Sequence, residues 1–131
     1  MGVQGKTVLV SESDPGIREF IQAALESALG VRVVAARGGE EAVQLARSVH
    51  PDLSLVEVWA RPPRGVDVVR QLRLDPATRG IPVLALTYSD EGRSAALEAG
   101  CDDAIGMPFQ LEDLLEKVQR YLAKPAVPVG A

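Results

Sequence analysis

The sequence predicts an α/β domain built on a doubly wound parallel sheet, and three observations carry that reading. Five short apolar runs alternate with segments whose apolar residues recur at helical spacing. The runs lack the in-out alternation of a strand with one wet face, so both faces are expected to lie under helices. Glycine, proline or an acid followed by proline marks the junctions.

Thr7–Val10 (TVLV) is the first run, and the polar cluster Ser11, Glu12, Ser13 and Asp14 follows at once. Asp14-Pro15 reads as a helix start, with the acid as N-cap and the proline at the first helical position, where it loses no hydrogen bond. Ile17, Phe20, Ile21, Ala24, Leu25 and Ala28 then form a helical stripe closed by Gly30. Val31–Ala36 is a β-branched run, Gly38-Gly39 a break, and Ala42, Leu45, Ala46 and Val49 a second stripe that ends before Pro51. Leu53–Val58 makes the third run, after which the break Arg61–Gly65 leads into a helix carrying Val66, Val69 and Leu72. Pro82–Leu86 (PVLAL) is the fourth run, Ser89–Ala99 a short alanine-rich helix and Asp103–Ile105 a brief fifth run. Leu111, Leu114, Leu115, Val118, Tyr121 and Leu122 form the clearest stripe of all. The ending KPAVPVGA has prolines and small residues without periodicity, so one domain over 1–124 and a tail or linker remnant over 125–131 are expected.

Composition narrows the function. No apolar run approaches the roughly 18 residues of a membrane span, so no membrane partner is expected. The opening MGVQGKTVLVSES has no apolar segment followed by a cleavage site, which makes the cytoplasm the expected location. Cys101 is the single cysteine and His50 the single histidine, too few for a disulfide framework or a zinc site. Cys101 reads as a small packed residue and His50 as a helix-end residue. The net charge is −4 and the 14 basic residues are scattered, so direct nucleic-acid binding is not expected.

In doubly wound sheets, ligands and chemistry sit beyond the carboxyl ends of the strands. That singles out Glu12–Asp14, Glu57–Arg61, Thr87–Tyr88 and Gly106–Pro108. With these positions, the blocks VLVSESDPGIRE, GGEEAVQLARSVHPDLSLVEV, RLDPATRGIPVLALT and ALEAGCDDAIGMPFQLEDLLEKV resemble the receiver domain of two-component response regulators from Lys6 to Leu122. The resemblance implies a flavodoxin-like receiver fold with five helices and strand order 2-1-3-4-5.

It also implies a chemistry. Receivers usually carry an acidic pair after the first strand, an aspartate ending the third, a Thr or Ser ending the fourth and a Lys ending the fifth. Carboxylates hold Mg²⁺, the aspartate attacks the phosphorus in line, and the lysine and hydroxyl bind the transferred oxygens. The matching residues here are Glu12 and Ser13, then Glu57, Thr87 and Met107. Only Thr87 fits that pattern outright. Glu57 carries an extra methylene, which displaces its carboxylate by on the order of an ångström, a misplacement able to cost about a hundredfold in rate. Ser13 removes a metal-directed charge, and the Met107 thioether neither donates a charge-assisted hydrogen bond nor neutralises a phosphoryl oxygen. Ala104 matches the aromatic that usually precedes the site lysine by three residues and changes burial on phosphorylation.

The sequence therefore reads as a pseudo-receiver with a degenerate phosphoacceptor pocket, Glu12, Ser13, Glu57, Thr87 and Met107. It is expected to be no enzyme and to act by docking proteins: a histidine kinase, an output domain or a second copy. The alternative is a phosphorylatable receiver using Glu57 or a neighbouring acid with Mg²⁺. Glu57 is open to three readings, a mimic of a phosphorylated aspartate, a poor acceptor or a leftover acid. Glu12 and Glu57 should face one another, so that one resists ionising unless a cation or arginine intervenes. A weak Mg²⁺ site from Glu12, Asp14 and Glu57 stays open, against the competing cap role of Asp14, and no other cofactor is expected. Lys6, Lys117 and Lys124 lie far from the strand ends in sequence terms, while Arg61 and Arg64 could fold back over Glu57. Thr87 is adequately explained as a strand-end hydroxyl bonded to local backbone. Met107 suits filling the lysine's channel, and the Met107–Pro108 peptide is a candidate cis bond by resemblance. Trp59 either lies over the pocket or projects as a partner anchor, and Tyr88 shares that candidate partner surface.

Overall fold

A computed structural model describes residues 2–59 and 65–124. Five strands alternate with five helices: β1 (Thr7–Ser11), α1 (Pro15–Leu29), β2 (Arg32–Ala36), α2 (Gly39–Val49), β3 (Leu53–Val58), α3 (Val66–Leu74), β4 (Val83–Thr87), α4 (Asp90–Ala99), β5 (Asp103–Gly106) and α5 (Leu111–Ala123). The sheet is wholly parallel in the order β2-β1-β3-β4-β5, as expected. Several boundaries fall within a residue of the sequence reading, β1 extending to Ser11 and β4 running over Val83–Thr87.

Alternation along the strands divides the interior into two cores. Val8, Val10, Leu53, Leu55, Leu84, Leu86 and Ile105 pack with α1 and α5. Leu9, Val56, Val58, Val83, Ala85 and Ala104 pack with α2, α3 and α4. Apart from Leu9, the three-helix face is built of valine and alanine, whose small side chains let those helices lie close to the sheet. Phe20, which the helical stripe of α1 placed in the core, is instead 53% exposed, with its ring 6.1 Å from that of Phe109. Leu111 is likewise partly exposed, at 39%. Both lie on the border of their stripe, where the sheet does not reach.

Local chemistry sets the helix ends. The Asp14 side chain accepts the Ile17 N–H at 3.0 Å, Pro15 follows it, and Gly30 closes α1 in the left-handed conformation. Ser89 caps α4 by accepting the Gly92 N–H at 3.0 Å. His50 closes α2 with φ at 52°, a conformation usually left to glycine or asparagine.

Two polar clusters fasten the remainder. Arg73 donates to the carbonyls of Gly100, Arg79 and Ile81 and to Asp102, which also accepts the Val83 N–H at 2.8 Å. One guanidinium thereby ties α3 to the start of β4 and the turn before β5. On the border strand β5, the Ala104 N–H donates to Asp103 Oδ1 at 2.8 Å and its carbonyl accepts Lys117 Nζ at 2.8 Å.

Gly65, at φ 88°, carries the backbone across the end of β3. A Cβ there would collide with the Glu57 carbonyl and lie 2.7 Å from the Val58 Cα, with no flexible side chain to give way. Gly65→Ala should lower stability by more than about 2 kcal/mol in urea denaturation. Gly38→Ala, at an extended position with nothing within 4 Å, should change it little; equal effects would contradict this account of the crossing.

Candidate functional site

Strands β1, β3 and β4 are neighbours, so their carboxyl ends bring Glu12, Glu57 and Thr87 side by side. The register pairs Ser11 with Val56, which sets Glu12 beside Glu57 on one side of the sheet. Glu57 Oε1 accepts both the Ser13 N–H at 3.1 Å and the Ser13 hydroxyl at 2.9 Å. Glu12 is fully buried. Its Oε2 accepts the Asp14 N–H at 3.0 Å, its Oε1 accepts the Tyr88 hydroxyl at 3.3 Å, and its carbonyl accepts Arg18 Nη1 at 2.8 Å.

The other expected residues fall as follows. Thr87 is buried, with Oγ1 3.5 Å from the Ile105 carbonyl. Met107 is half-buried against the α1–α5 core, its N–H donates to the Thr87 carbonyl at 2.6 Å, and the Met107–Pro108 peptide is cis. Ala104 is buried in the α2–α4 core. Lys6 donates to the Leu122 carbonyl, and Lys124 sits 4.3 Å over the Tyr121 ring. Lys117 comes closer to the sheet than its place in the chain suggests, pairing with Asp103 at 3.2 Å, but it does so at the border of β5 and not at Glu57. Arg61, Arg64 and the Pro62-Pro63 break lie outside the described residues.

The feature that sequence reading missed is aromatic. The Trp59 and Tyr88 rings stack with centroids 4.2 Å apart and planes 2° apart. Both are half-buried. The available signal was positional, since each residue directly follows a strand that ends at the pocket.

A hard divalent cation such as Mg²⁺ takes about six oxygen ligands in near-ideal geometry. Here two carboxylates meet, Ser13 is turned onto Glu57, and Asp14 is engaged as the cap of α1. Among the described residues no three His, Cys, Asp or Glu side chains gather as a metal site. In this arrangement the oxygens of Glu12 and one oxygen of Glu57 are already taken up by hydrogen-bond donors of the chain, which an incoming ion would have to displace.

Burial raises the Glu12 carboxyl above the usual glutamate value, and the charge of nearby Glu57 adds to it, against the lowering hydrogen bond from Asp14. Burial also pushes the Tyr88 phenol well up, with Glu12 and Glu57 adding to the effect, so Tyr88 stays a donor at ordinary pH. Because the folded state holds the Glu12 proton more tightly than the unfolded chain, its contribution is fully present below the ordinary value near 4.5 and is lost as pH rises through the raised one. Glu12→Gln, which stays neutral, should therefore match the parent at low pH and gain on it progressively above about pH 4.5. Urea midpoints across pH 4 to 8 would read this, and a constant difference would contradict the raised carboxyl.

Comparison with known proteins identifies the architecture. A sequence model of the family described as "Response regulator receiver domain" matches residues 8–119. Response regulator MprA of Mycolicibacterium vanbaalenii is 36% identical over 126 residues, covering 95% of this chain and 53% of that protein. The phosphate regulon transcriptional regulatory protein PhoB of Pseudomonas aeruginosa is 33% identical over 123 residues, covering 92% and 53%. The chain thus spans about half the length of these curated relatives. Among solved structures, the receiver domain of sensor histidine kinase PA1611 of Pseudomonas aeruginosa PAO1, with a magnesium ion in its active-site cleft, superposes with a TM-score of 0.83 at 30% identity, covering 92% of this chain and 99% of that one. Chemotaxis response regulator CheY4 of Vibrio cholerae gives 0.81 at 26% identity, covering 90% and 99%. With a match running from β1 into α5, this chain belongs to the response-regulator receiver domains.

Proposed function

We propose that this receiver is a pseudo-receiver: a signalling module that works by docking proteins, independently of aspartyl phosphorylation. The observation that carries the reading is the absence of a lysine directly after β5, where Met107 stands and the nearby Arg18 guanidinium is turned onto the Glu12 carbonyl. Met107 stands where receivers usually have their lysine, and all three lysines are engaged elsewhere, on Leu122, on Ala104 with Asp103, and on Tyr121. At position 107 an incoming phosphoryl group would meet a thioether in place of a positive charge, and a preorganised charge is where most of such a reaction's acceleration arises.

Three further points support the reading. Glu57 is tied to Ser13 by two hydrogen bonds, so a carboxylate displaced by its extra methylene has a stable resting place. Ala104, at the position of the usual switch aromatic, is a small core residue with no ring to reorient. Beside the pocket, half-exposed Phe20 packs on Phe109 near Met107 and Pro108, an apolar surface of the kind that protein partners cover. The partner is a histidine kinase, an output domain or a second copy of the chain. Residues 1–124 form the receiver-like unit in this reading, and 125–131 a tail or linker remnant.

A second reading is favoured by the position of Glu57, whose carboxylate ends β3 where the family's acceptor stands. In it, Glu57 or a neighbouring acid accepts the phosphoryl group with Mg²⁺. Amide NMR of the ¹⁵N-labelled chain separates the two. With Mg²⁺ and then beryllofluoride, a phosphoryl mimic, the pseudo-receiver reading expects an unchanged spectrum. Beryllofluoride-dependent shifts clustered at Glu12, Glu57 and Thr87 would overturn it. Conversely, the combined variant Ser13→Asp, Glu57→Asp and Met107→Lys should acquire Mg²⁺-dependent labelling from a small-molecule phosphodonor, and no labelling in a folded variant would count against a receiver scaffold that lost only these groups.

A further inference from the structure

Tyr88 begins at the end of β4, yet its hydroxyl donates to Glu12 at the end of β1. In the sheet order these strands are not neighbours, because β3 runs between them. Adjacent strands lie about 4.8 Å apart, so the contact spans two spacings, roughly 10 Å, shared between the two long side chains. The bridge therefore passes over the end of β3, whose last two residues are Glu57 and Val58.

Stacking makes the bridge rigid. The Trp59 ring, two residues beyond Glu57, lies parallel to that of Tyr88 with centroids 4.2 Å apart, a stacked aromatic pair. One end of the phenol ring is thus held by Glu12 and its face by Trp59. The acceptor at the far end is fully buried and anchored in turn by the Asp14 N–H. Glu57, by contrast, is half-buried and its hydrogen bonds come from Ser13 on the β1 side.

We infer that Tyr88, pinned by Trp59 and latched on Glu12, is a lid that controls access to the Glu57 carboxylate. The lid lies on the β4 side of the strand-end pocket and slows the approach of small molecules to Glu57 from that side, while the side of the exposed Ser13 stays in contact with solvent. It adds a steric barrier to the missing charge at Met107, and the two are separable. The inference rests on the geometry of β1, β3 and β4 and holds whether or not the pocket accepts a phosphoryl group.

The test reads access alone. Glu57→Cys places a thiol at the end of β3, and its alkylation by a small maleimide is followed by mass spectrometry. The native Cys101 serves as an internal reference, since it is buried and its thiol is pushed up to about 12, which makes it slow to react. Adding Tyr88→Ala should speed alkylation at position 57 by about tenfold or more, while Cys101 stays slow. Adding Tyr88→Phe, which keeps the ring and removes the latch, should give an intermediate rate and guards against misfolding of the alanine variant. The fluorescence of Trp59, the one tryptophan, should change with Tyr88→Ala as the stack is lost. Equal rates at position 57 with and without Tyr88 would overturn the lid, and so would a parallel rise at Cys101, which would mean general unfolding.

Discussion

Strand β3 lies in the middle of the sheet, hydrogen-bonded on both sides, and its register against β1 and β4 decides which side chains meet at the strand ends. Ser11 pairs with Val56, and Val58 with Thr87. A slip of one residue would carry Glu57 to the opposite face and bring a core valine to the pocket. That register is held by burial on both sides, since Leu53 and Leu55 serve one core and Val56 and Val58 the other. Two independent cores thus fix one alignment. Gly65 then seals it by laying the chain across the end of β3, where only a residue without a side chain fits.

Once the register is set, the electrostatics of the pocket follow. Two glutamates are brought together with no basic side chain between them among the described residues. The fold accommodates them unequally. Glu12 is removed from water and held by an amide and a phenol, conditions under which a carboxyl keeps its proton longer. Glu57 keeps partial contact with solvent and takes its hydrogen bonds from Ser13. An aspartate in place of Ser13 would add a third acid to this pair and would need a cation to offset it. Serine instead supplies donors, which satisfies Glu57 without any ion.

Much of this was legible in the sequence because it depends on periodicity and on the ends of strands. The five apolar runs, the Asp14 cap and the meeting of Glu12 with Glu57 all follow from local pattern plus parallel order. The less legible parts join residues that only the folded sheet brings together. Phe20 sits at helical spacing with Ile17 and Ile21, and spacing alone does not tell which member of a stripe overhangs the sheet. The Tyr88–Trp59 stack pairs residues from two different strand ends, and the long phenol reaches past a whole strand. Arg73 looks like an ordinary surface arginine of a helix, yet its donors are spent on three carbonyls and a carboxylate brought from the segments around Arg79 and Gly100.

The border strand β5 has a consequence of another kind. Its Ala104 amide is held by the preceding Asp103 carboxylate and its carbonyl by Lys117, with Arg93 also 3.4 Å from that oxygen. Main-chain groups that are already satisfied offer no template for an additional strand. At Ala104, contacts through this side then fall to side chains and not to the backbone. At Ala104, at least, a neighbouring copy of the domain finds no free main-chain group with which to extend the sheet.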